Sequence, residues 1–270
     1  MNNKLFIVEG LPCAGKSTIS KYVADSLKNK GYKVEWVDEG TGNHPADYEY
    51  HSYLTHMDLQ KLTVEEKTEI LNKATNISGG YIIDLSELQG ELLEKVLPYK
   101  IYDNLPWEIE KEIMLDGWRR FTQAADNETI YVFNCCFLQN PMCETMMRFG
   151  FKHEVSREYI LSIWQIIKEL NPVIIYLKEN NINDKIQMQV DKRGKEWLSF
   201  VIDYHVNGRY GKDHNLSGYE GYIECLIERQ QRELNILDEI GGEKLILINS
   251  NSDWDDAHSK IDKYVAGLMR

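Results

Sequence analysis

The segment Gly10-Leu11-Pro12-Cys13-Ala14-Gly15-Lys16-Ser17 matches the pattern G-x-x-x-x-G-K-[ST], in which x is any residue. The apolar run Leu5 to Val8 precedes it, and an amphipathic stretch from Ser17 to Lys30 follows. A glycine-rich loop between a buried strand and a helix turns backbone N–H groups inward, and the helix N-terminus adds partial positive charge. The segment therefore predicts a strand, a phosphate-binding loop and a helix, in that order.

The residues of this loop have separate predicted tasks in holding a triphosphate. Lys16 would reach the outer phosphates, and the Ser17 hydroxyl would bind a Mg²⁺ ion that bridges them. Backbone N–H groups of the other loop residues would surround the phosphates. The predicted nucleotide-binding residues are Gly10, Pro12, Cys13, Ala14, Gly15, Lys16, Ser17 and Thr18.

Further apolar runs along the chain have the length and composition of buried strands. They are Val34 to Val37, Thr129 to Phe133, Val173 to Leu177 and Lys244 to Ile248. The clearest helical patterns between and after them are Glu158 to Leu170, Tyr219 to Ile240 and Trp254 to Leu268. This alternation predicts an α/β fold of the three-layer P-loop NTPase type, with a five-stranded, mostly parallel sheet covered by helices on both faces.

No linker divides the 270 residues, so we expect a single domain, residues 1–270. Residues 44–128 lie between the second and third strands and are far more than a crossover of about a dozen residues needs. Apolar groups at Ile70 to Ala74, Leu85 to Leu97 and Ile109 to Phe121 predict helices there. Because ligands bind beyond the carboxyl ends of parallel strands, we expect this helical insertion to form a substrate cap.

Composition and charge restrict the class of protein. Lys and Arg total 31 against 43 Asp and Glu, a net charge of −12, which would repel a nucleic-acid polymer. Neither a signal peptide nor an apolar run of the roughly 20 residues that span a membrane is evident, so we expect a cytoplasmic protein. The cysteines lack zinc-site spacing and are expected to be reduced, and Cys13 is a candidate reactive thiol because helix N-termini lower thiol pKa values.

The chain resembles the P-loop nucleoside and nucleotide kinases, the thymidylate-kinase-like group in particular. The resemblance rests on Glu9 to Thr18, on Asp38-Glu39-Gly40 after the second strand, and on the α/β order. In that family the acidic group lies near the phosphoryl acceptor, and in deoxynucleoside kinases a glutamate there acts as base. The resemblance implies that Glu39, or its neighbour Asp38, takes a proton from a substrate hydroxyl or binds the metal shell. We assign Glu39 to the proton and Asp38 to the metal.

The same family closes an arginine-bearing lid over the phosphates, because charge on the transferring phosphoryl group needs cations around it. Asp191 to Glu196 is the matching basic cluster, with Arg193 as the first candidate before Lys192 or Lys195. A solvated charge run between two helices is the alternative. Further candidate cations are Arg119, Arg120 and Arg148. Related kinases hold the purine base near the segment that corresponds to Asn249 to Trp254.

One position departs from the family pattern. P-loop proteins commonly end the third strand with an acid that holds magnesium through water, whereas Thr129 to Phe133 is followed by Asn134. An amide can accept a hydrogen bond from coordinated water but carries no charge. The identity of the metal-binding acid therefore stays open, with Asp38, Glu39 and Asp84 as candidates.

Two segments are candidates to face the acceptor. Phe137 to Pro141 offers Gln139 and Asn140 as hydrogen-bonding groups, unless it is a plain turn. His44 to Tyr53 combines aromatic rings with carboxylates, which suits stacking on a base or binding of hydroxyls and amines, unless it only packs the insertion. The spacing of His44, His51 and His56 fits no usual zinc site.

These observations favour an ATP- and Mg²⁺-dependent kinase of a small molecule, in which Lys16, Glu39 and Arg193 act on the transferring group. The resemblance suggests a nucleoside or nucleotide acceptor, and an amine-rich metabolite or antibiotic is the rival. A nucleotide-binding regulatory protein without transfer activity is the second hypothesis, motivated by Asn134. The N-K-x-D pattern that recognises guanine is absent, but the sequence does not decide between ATP and GTP as the nucleotide. It also leaves open whether the protein forms a homodimer.

Overall fold

The computed structural model describes residues 2–40, 44–249 and 252–268. Its strands are β1 (Leu5–Gly10), β2 (Lys33–Val37), β3 (His51–Thr55), β4 (Thr75–Ile77), β5 (Gly80–Asp84), β6 (Thr129–Asn134), β7 (Val173–Lys178) and β8 (Glu243–Ile248). Its helices are α1 (Lys16–Asn29), α2 (His56–Leu59), α3 (Val64–Lys73), α4 (Gly90–Val96), α5 (Ile101–Asn104), α6 (Trp107–Ala124), α7 (Gln139–Met142), α8 (His153–Ile167), α9 (Ile182–Val206), α10 (Arg209–Asp213), α11 (Gly218–Glu239) and α12 (Trp254–Leu268).

The chain divides into two compact units. One comprises the described residues of Met1–Glu39 and Trp118–Arg270, and the other is Gly40–Gly117. Helix α6 runs across the division. The prediction that residues 44–128 form a substrate cap within a single domain stays a prediction.

The larger unit is built on a five-stranded sheet in the order β2-β6-β1-β7-β8. All neighbouring strands in it are parallel, which confirms the predicted α/β fold. The register pairs Val8 of β1 with Asn134 of β6, and Val37 of β2 with Phe133 of β6. Because parallel strands end at the same edge, the residues that follow β1, β2 and β6 meet there.

The core of this unit explains why α1 forms where the apolar pattern predicts it. Ile19, Val23 and Leu27 recur at helical spacing and pack with Phe6 and Val8 of β1 in one buried cluster, which α12 also joins. The alternate residues of β1 are fully buried as well. Both faces of the central strand are therefore covered, as expected for a parallel sheet.

The smaller unit contains a three-stranded antiparallel sheet in the order β3-β5-β4. Strands β4 and β5 form a hairpin whose turn includes Gly79 at φ 86°, a left-handed conformation that glycine adopts without steric cost. Three helices were predicted in this segment, and α3, α4 and α6 lie at those places. The antiparallel sheet was not predicted. Its strands have at most five residues, too few for alternation to distinguish them from loops.

Among the described residues, no helix combines the length and the apolar character needed to cross a membrane.

Candidate functional site

The predicted phosphate loop connects β1 to α1 with backbone conformations that need small or permissive residues. Gly10 has φ 149°, and a Cβ atom there would lie 2.7 Å from the Leu177 carbonyl oxygen of the neighbouring strand. Cys13 and Gly15 are left-handed, with φ 67° and 99°. The Lys16 ammonium is buried against the loop and donates to the Leu11 carbonyl, 3.2 Å away. These features bring the Lys16 charge and the N-terminus of α1 together, as an anion site requires.

Asn134 connects the loop to an acid on the neighbouring strand. Its Nδ2 donates to the Ser17 hydroxyl at 3.1 Å and to Asp38 Oδ1 at 2.6 Å. Since an ionised carboxylate only accepts hydrogen bonds, the Asp38 contact determines that the amide nitrogen faces it. Asn134 is 1% exposed, and its Oδ1 lacks a protein hydrogen-bond partner within the part of the chain that the structure describes.

This arrangement distinguishes between the acids that were candidates to bind Mg²⁺. Strand β6 offers an amide, but Asp38 reaches the same place from the end of β2, next to Ser17 through Asn134. Asp84 instead accepts from the backbone N–H of Ser86 in the smaller unit, where it caps a turn. The oxygen atoms of Ser17, Asp38 and Asn134 are of the hard type that Mg²⁺ prefers. The arrangement supports Asp38 as the candidate acid.

A second hydrogen-bond chain connects the strand of the phosphate loop to Glu39. The Glu9 carboxylate is fully buried and accepts from the backbone N–H groups of Phe137, Leu138 and Gln139 at 2.7, 2.8 and 3.2 Å. Burial raises the pKa of Glu9 to about 7, against the hydrogen bonds from the backbone, which lower it. Gln139 Nε2 then donates to Glu39 Oε1. Glu39 itself is exposed, so its carboxylate is held near the loop and open to solvent.

Cationic residues of α9 lie in electrostatic range of the phosphate loop. Burial raises the pKa of the Cys13 thiol, while the charges of Arg193, Lys16 and Lys185 lower it in that order. Desolvation outweighs the nearby cations, which argues against Cys13 as a reactive thiol. Arg193 is exposed, with its guanidinium 5.3 Å from the centre of the Trp197 ring.

The segment predicted as a lid, Asp191 to Glu196, lies within α9 at a kink that joins two helical stretches. Gly194 breaks the helix, with φ 86° and ψ 175°. Arg193 comes just before this break, and the neighbouring lysines, Lys192 and Lys195, are exposed. Arg148 is engaged elsewhere, because it pairs with Glu144 at 2.5 Å and lies over the Phe149 ring.

The remaining candidate residues have contacts or positions that the sequence did not predict. Asn140 donates to the Cys136 sulfur at 3.6 Å, and Arg119 and Arg120 belong to α6. His44 is buried, and desolvation lowers its pKa to about 3. Among the described residues, no group of three or more His, Cys, Asp or Glu side chains could hold a metal ion. Of the segment proposed to hold a purine base, positions 250 and 251 lie outside the described residues.

Some buried charged residues of the larger unit have surroundings that the sequence does not predict. Glu9 was visible as an acid inside an apolar run, which is a signal for a paired or hydrogen-bonded buried carboxylate. Lys185 is 8% exposed with its ammonium 3.8 Å from Glu179, and no pattern in the sequence marks it. Arg229 is fully buried on α11, whose buried face also carries Arg232 and Glu233, and no pattern in the sequence distinguishes Arg229 from its charged neighbours.

Comparison with known proteins agrees with the loop and the sheet. The family model described as "Chromatin associated protein KTI12" matches residues 4–77. A probable thymidylate kinase from Archaeoglobus fulgidus is 37% identical over 73 residues, which are 27% of this chain and 34% of the relative. The matched part of this chain thus spans about a third of the length of that curated relative.

Two solved structures align over almost the whole chain. YorR protein from Bacillus subtilis, crystallised with phosphorylated GDP, has a TM-score of 0.43 and 13% identity, covering 98% of this chain and 95% of that chain. APE1195 has a TM-score of 0.41 and 14% identity, covering 98% and 96%. The phosphate loop, the parallel sheet and the sequence matches near the start of the chain support a P-loop nucleotide-kinase-like superfamily.

Proposed function

We propose that this P-loop nucleotide-kinase-like protein is an ATP-dependent kinase that transfers the γ-phosphoryl group to a hydroxyl of a small molecule, most simply a nucleoside. The observation that carries the proposal is the hydrogen-bonded series Ser17–Asn134–Asp38, which supplies an acid beside the phosphate loop. The amide at Asn134 therefore does not by itself argue for lost activity.

Binding of the nucleotide follows from the loop. The backbone N–H groups between Gly10 and Thr18 and the start of α1 hold the phosphates, and Lys16 lies on their outer side. A Mg²⁺ ion bound there would supply positive charge that neutralises part of the phosphate charge. Ser17 and Asp38 are the residues that would hold it, with the Asn134 carbonyl oxygen accepting from its water.

Transfer requires a base at the acceptor hydroxyl. Glu39 accepts the hydroxyl proton, the resulting oxygen attacks the γ-phosphorus, and the bond to the β-phosphate oxygen breaks to release ADP. The bond from Gln139 orients the Glu39 carboxylate, and Glu9 holds the backbone that carries Gln139. Arg193 and Lys16 stabilise charge on the transferring group.

A hydroxyl acceptor is favoured over a phosphate acceptor because two arginines of the larger unit are already paired with carboxylates. A monophosphate substrate needs cations that are available to it, whereas the Arg148 and Arg229 guanidinium groups are paired with Glu144 and Glu233.

The experiment is phosphoryl transfer from radiolabelled ATP to a panel of nucleosides, nucleoside monophosphates and hydroxylated amines, alongside ATP binding by calorimetry. We expect transfer to at least one hydroxyl compound, and its loss in Lys16→Ala. Glu35→Gln is a matched control, since Glu35 is an exposed acid on β2. ATP binding without transfer to any acceptor would rule out the kinase.

A second candidate is a nucleotide-binding regulatory protein, favoured by the family match to a chromatin-associated protein over residues 4–77. It would bind ATP and change its association with a partner protein without modifying a small molecule. Pull-down experiments with and without ATP, using Lys16→Ala as control, distinguish it from the kinase.

A further inference from the structure

A buried polar cluster lies between α11, the end of α9 and the segment Cys143–Arg148. Arg229 of α11 is fully buried, and its Nε donates to Glu233 at 2.6 Å. The Tyr176 hydroxyl donates to the other carboxylate oxygen of Glu233, also at 2.6 Å. Arg229 Nη1 points at the Cys143 sulfur, 3.7 Å away.

Two hydrogen-bond donors beside this cluster lack an acceptor among the described residues. Within the described chain, Arg229 Nη2 and the Tyr222 hydroxyl have no protein partner, although both side chains are 0% exposed. The two residues are seven positions apart on α11, which places them on the same face, two turns from each other. Leaving a buried donor unpaired costs about 1–3 kcal/mol, so such donors normally meet a ligand or an ordered water.

The charge of the cluster narrows the chemistry of that ligand. Glu233 neutralises Arg229, and Tyr176 completes the hydrogen bonding of the carboxylate. The His205 ring stacks on Tyr222 with centroids 5.4 Å apart, and burial lowers the pKa of His205 to about 3, so the ring is neutral near pH 7. The cluster therefore offers donors without net positive charge. A neutral oxygen that only accepts hydrogen bonds, such as a carbonyl, fits better than a phosphate.

The position of the cluster connects it with the proposed acceptor side. Cys143–Arg148 has π-helical hydrogen bonding, in which the Phe149 N–H donates to the Glu144 carbonyl at 2.9 Å. Such turns occur frequently at functional sites. The segment directly follows α7, whose first residue is Gln139, the partner of Glu39. Charges in the phosphate loop reach the cluster too, because Lys16 contributes to the low pKa of His205.

We propose that Arg229 and Tyr222 form a recognition subsite for a carbonyl oxygen of the phosphoryl acceptor. The inference rests on the proposed function, and it names the acceptor as a neutral hydroxyl compound that carries a carbonyl. Arg229 Nη2 and the Tyr222 hydroxyl donate to that oxygen, and Glu233 keeps the guanidinium in place. A nucleoside with a carbonyl-bearing base is the simplest compound of this class.

The test compares uridine, whose base carries carbonyl oxygens, with adenosine, whose base carries none. Calorimetry measures the binding of each nucleoside to the full-length protein in the presence of ADP and Mg²⁺. We expect uridine to bind at least about tenfold more tightly than adenosine, the ratio that one or two buried hydrogen bonds provide. Tyr222→Phe should lower uridine affinity about tenfold and leave adenosine affinity within about twofold.

Tyr222→Phe is a safe variant for folding, because the hydroxyl it removes bonds to no described residue of the protein. Its urea midpoint should equal or exceed that of the wild type. Arg229→Lys keeps a charge facing Glu233 and should also weaken uridine binding. Gln231→Ala, on the exposed side of the same helix, is the matched control and should change neither nucleoside's affinity.

Separate measurements distinguish failure of the proposed kinase function from failure of the carbonyl subsite. Loss of ATP binding or of phosphoryl transfer contradicts the proposed function. Equal affinity for uridine and adenosine, no uridine binding, or full uridine affinity in Tyr222→Phe overturns the subsite, since a buried water would then satisfy the two donors.

Discussion

Replacing Asp38 by asparagine tests whether this residue supplies the charge that strand β6 lacks. The amide introduced by Asp38→Asn keeps a carbonyl oxygen that can accept from Asn134. The hydrogen bonds from Asn134 to Ser17, at 3.1 Å, and to position 38, at 2.6 Å, can therefore persist. The substitution removes one negative charge and changes little else. It should weaken binding that depends on Mg²⁺ and should not weaken metal-free binding, since it also removes a charge that repels the phosphates.

The magnitude follows from Coulomb's law. A carboxylate that acts through a coordinated water lies about 5 Å from a doubly charged ion, and for the half-exposed Asp38 the dielectric constant of bulk water, about 80, gives the lower bound. The interaction is then about 1.7 kcal/mol, or roughly a 15-fold loss of affinity. This agrees with the 10- to 100-fold effect, as an order of magnitude, of removing partners in the outer coordination shell.

The assay is calorimetry of ATP binding, once with excess Mg²⁺ and once with EDTA. We expect Asp38→Asn to bind Mg·ATP about 15-fold more weakly and metal-free ATP at least as tightly as the wild type does. Glu35→Gln removes an exposed acid from the same strand and controls for general electrostatics. An equal loss in EDTA would show that Asp38 acts on the fold, and no loss in Mg²⁺ would refute its role at the metal.

Three further outcomes are expected. Glu39→Gln should lower kcat by about 10²- to 10⁴-fold in transfer assays, because the variant lacks the base. Its ATP affinity should be unchanged, because the ATP-binding residues are kept. Unchanged kcat would exclude Glu39 as the base. Glu9→Gln presents an NH₂ group to backbone N–H donors and should cost about 1–3 kcal/mol of unfolding free energy in urea titrations, whereas a wild-type midpoint would contradict the buried bonds to Phe137 and Leu138. Burial depresses the folded-state pKa of His205 to about 3 from 6.5, so the unfolded chain binds more protons between these values and stability falls as pH falls through that window. From pH 6.5 to 5 the loss should be about 2 kcal/mol, and His205→Phe should remove this part of the pH dependence; an equally steep profile in the variant would refute it.

The candidate site could be predicted only in part from the sequence, because some of its interactions join residues that are far apart in the chain. The phosphate loop needs glycine, lysine and a hydroxyl at given spacings, and these are consecutive in the chain. The partner of Asn134 could not be chosen among Asp38, Glu39 and Asp84, because the choice depends on which strand lies next to β6. Pairing with β2 brings Asp38 within 2.6 Å, and Asp84 belongs to another sheet.

The same distinction holds for the rest of the protein. Local pattern alone determined the five strands of the larger sheet, the helices α1, α11 and α12 and the glycine-rich loop, because apolar periodicity and glycine placement act between near neighbours in sequence. Only the tertiary structure decided the strand order, the small antiparallel sheet and the surroundings of Glu9, Asn134 and Arg229. Each of those depends on groups many residues apart, and burial then determines whether a charge is paired, neutralised or left to meet a ligand.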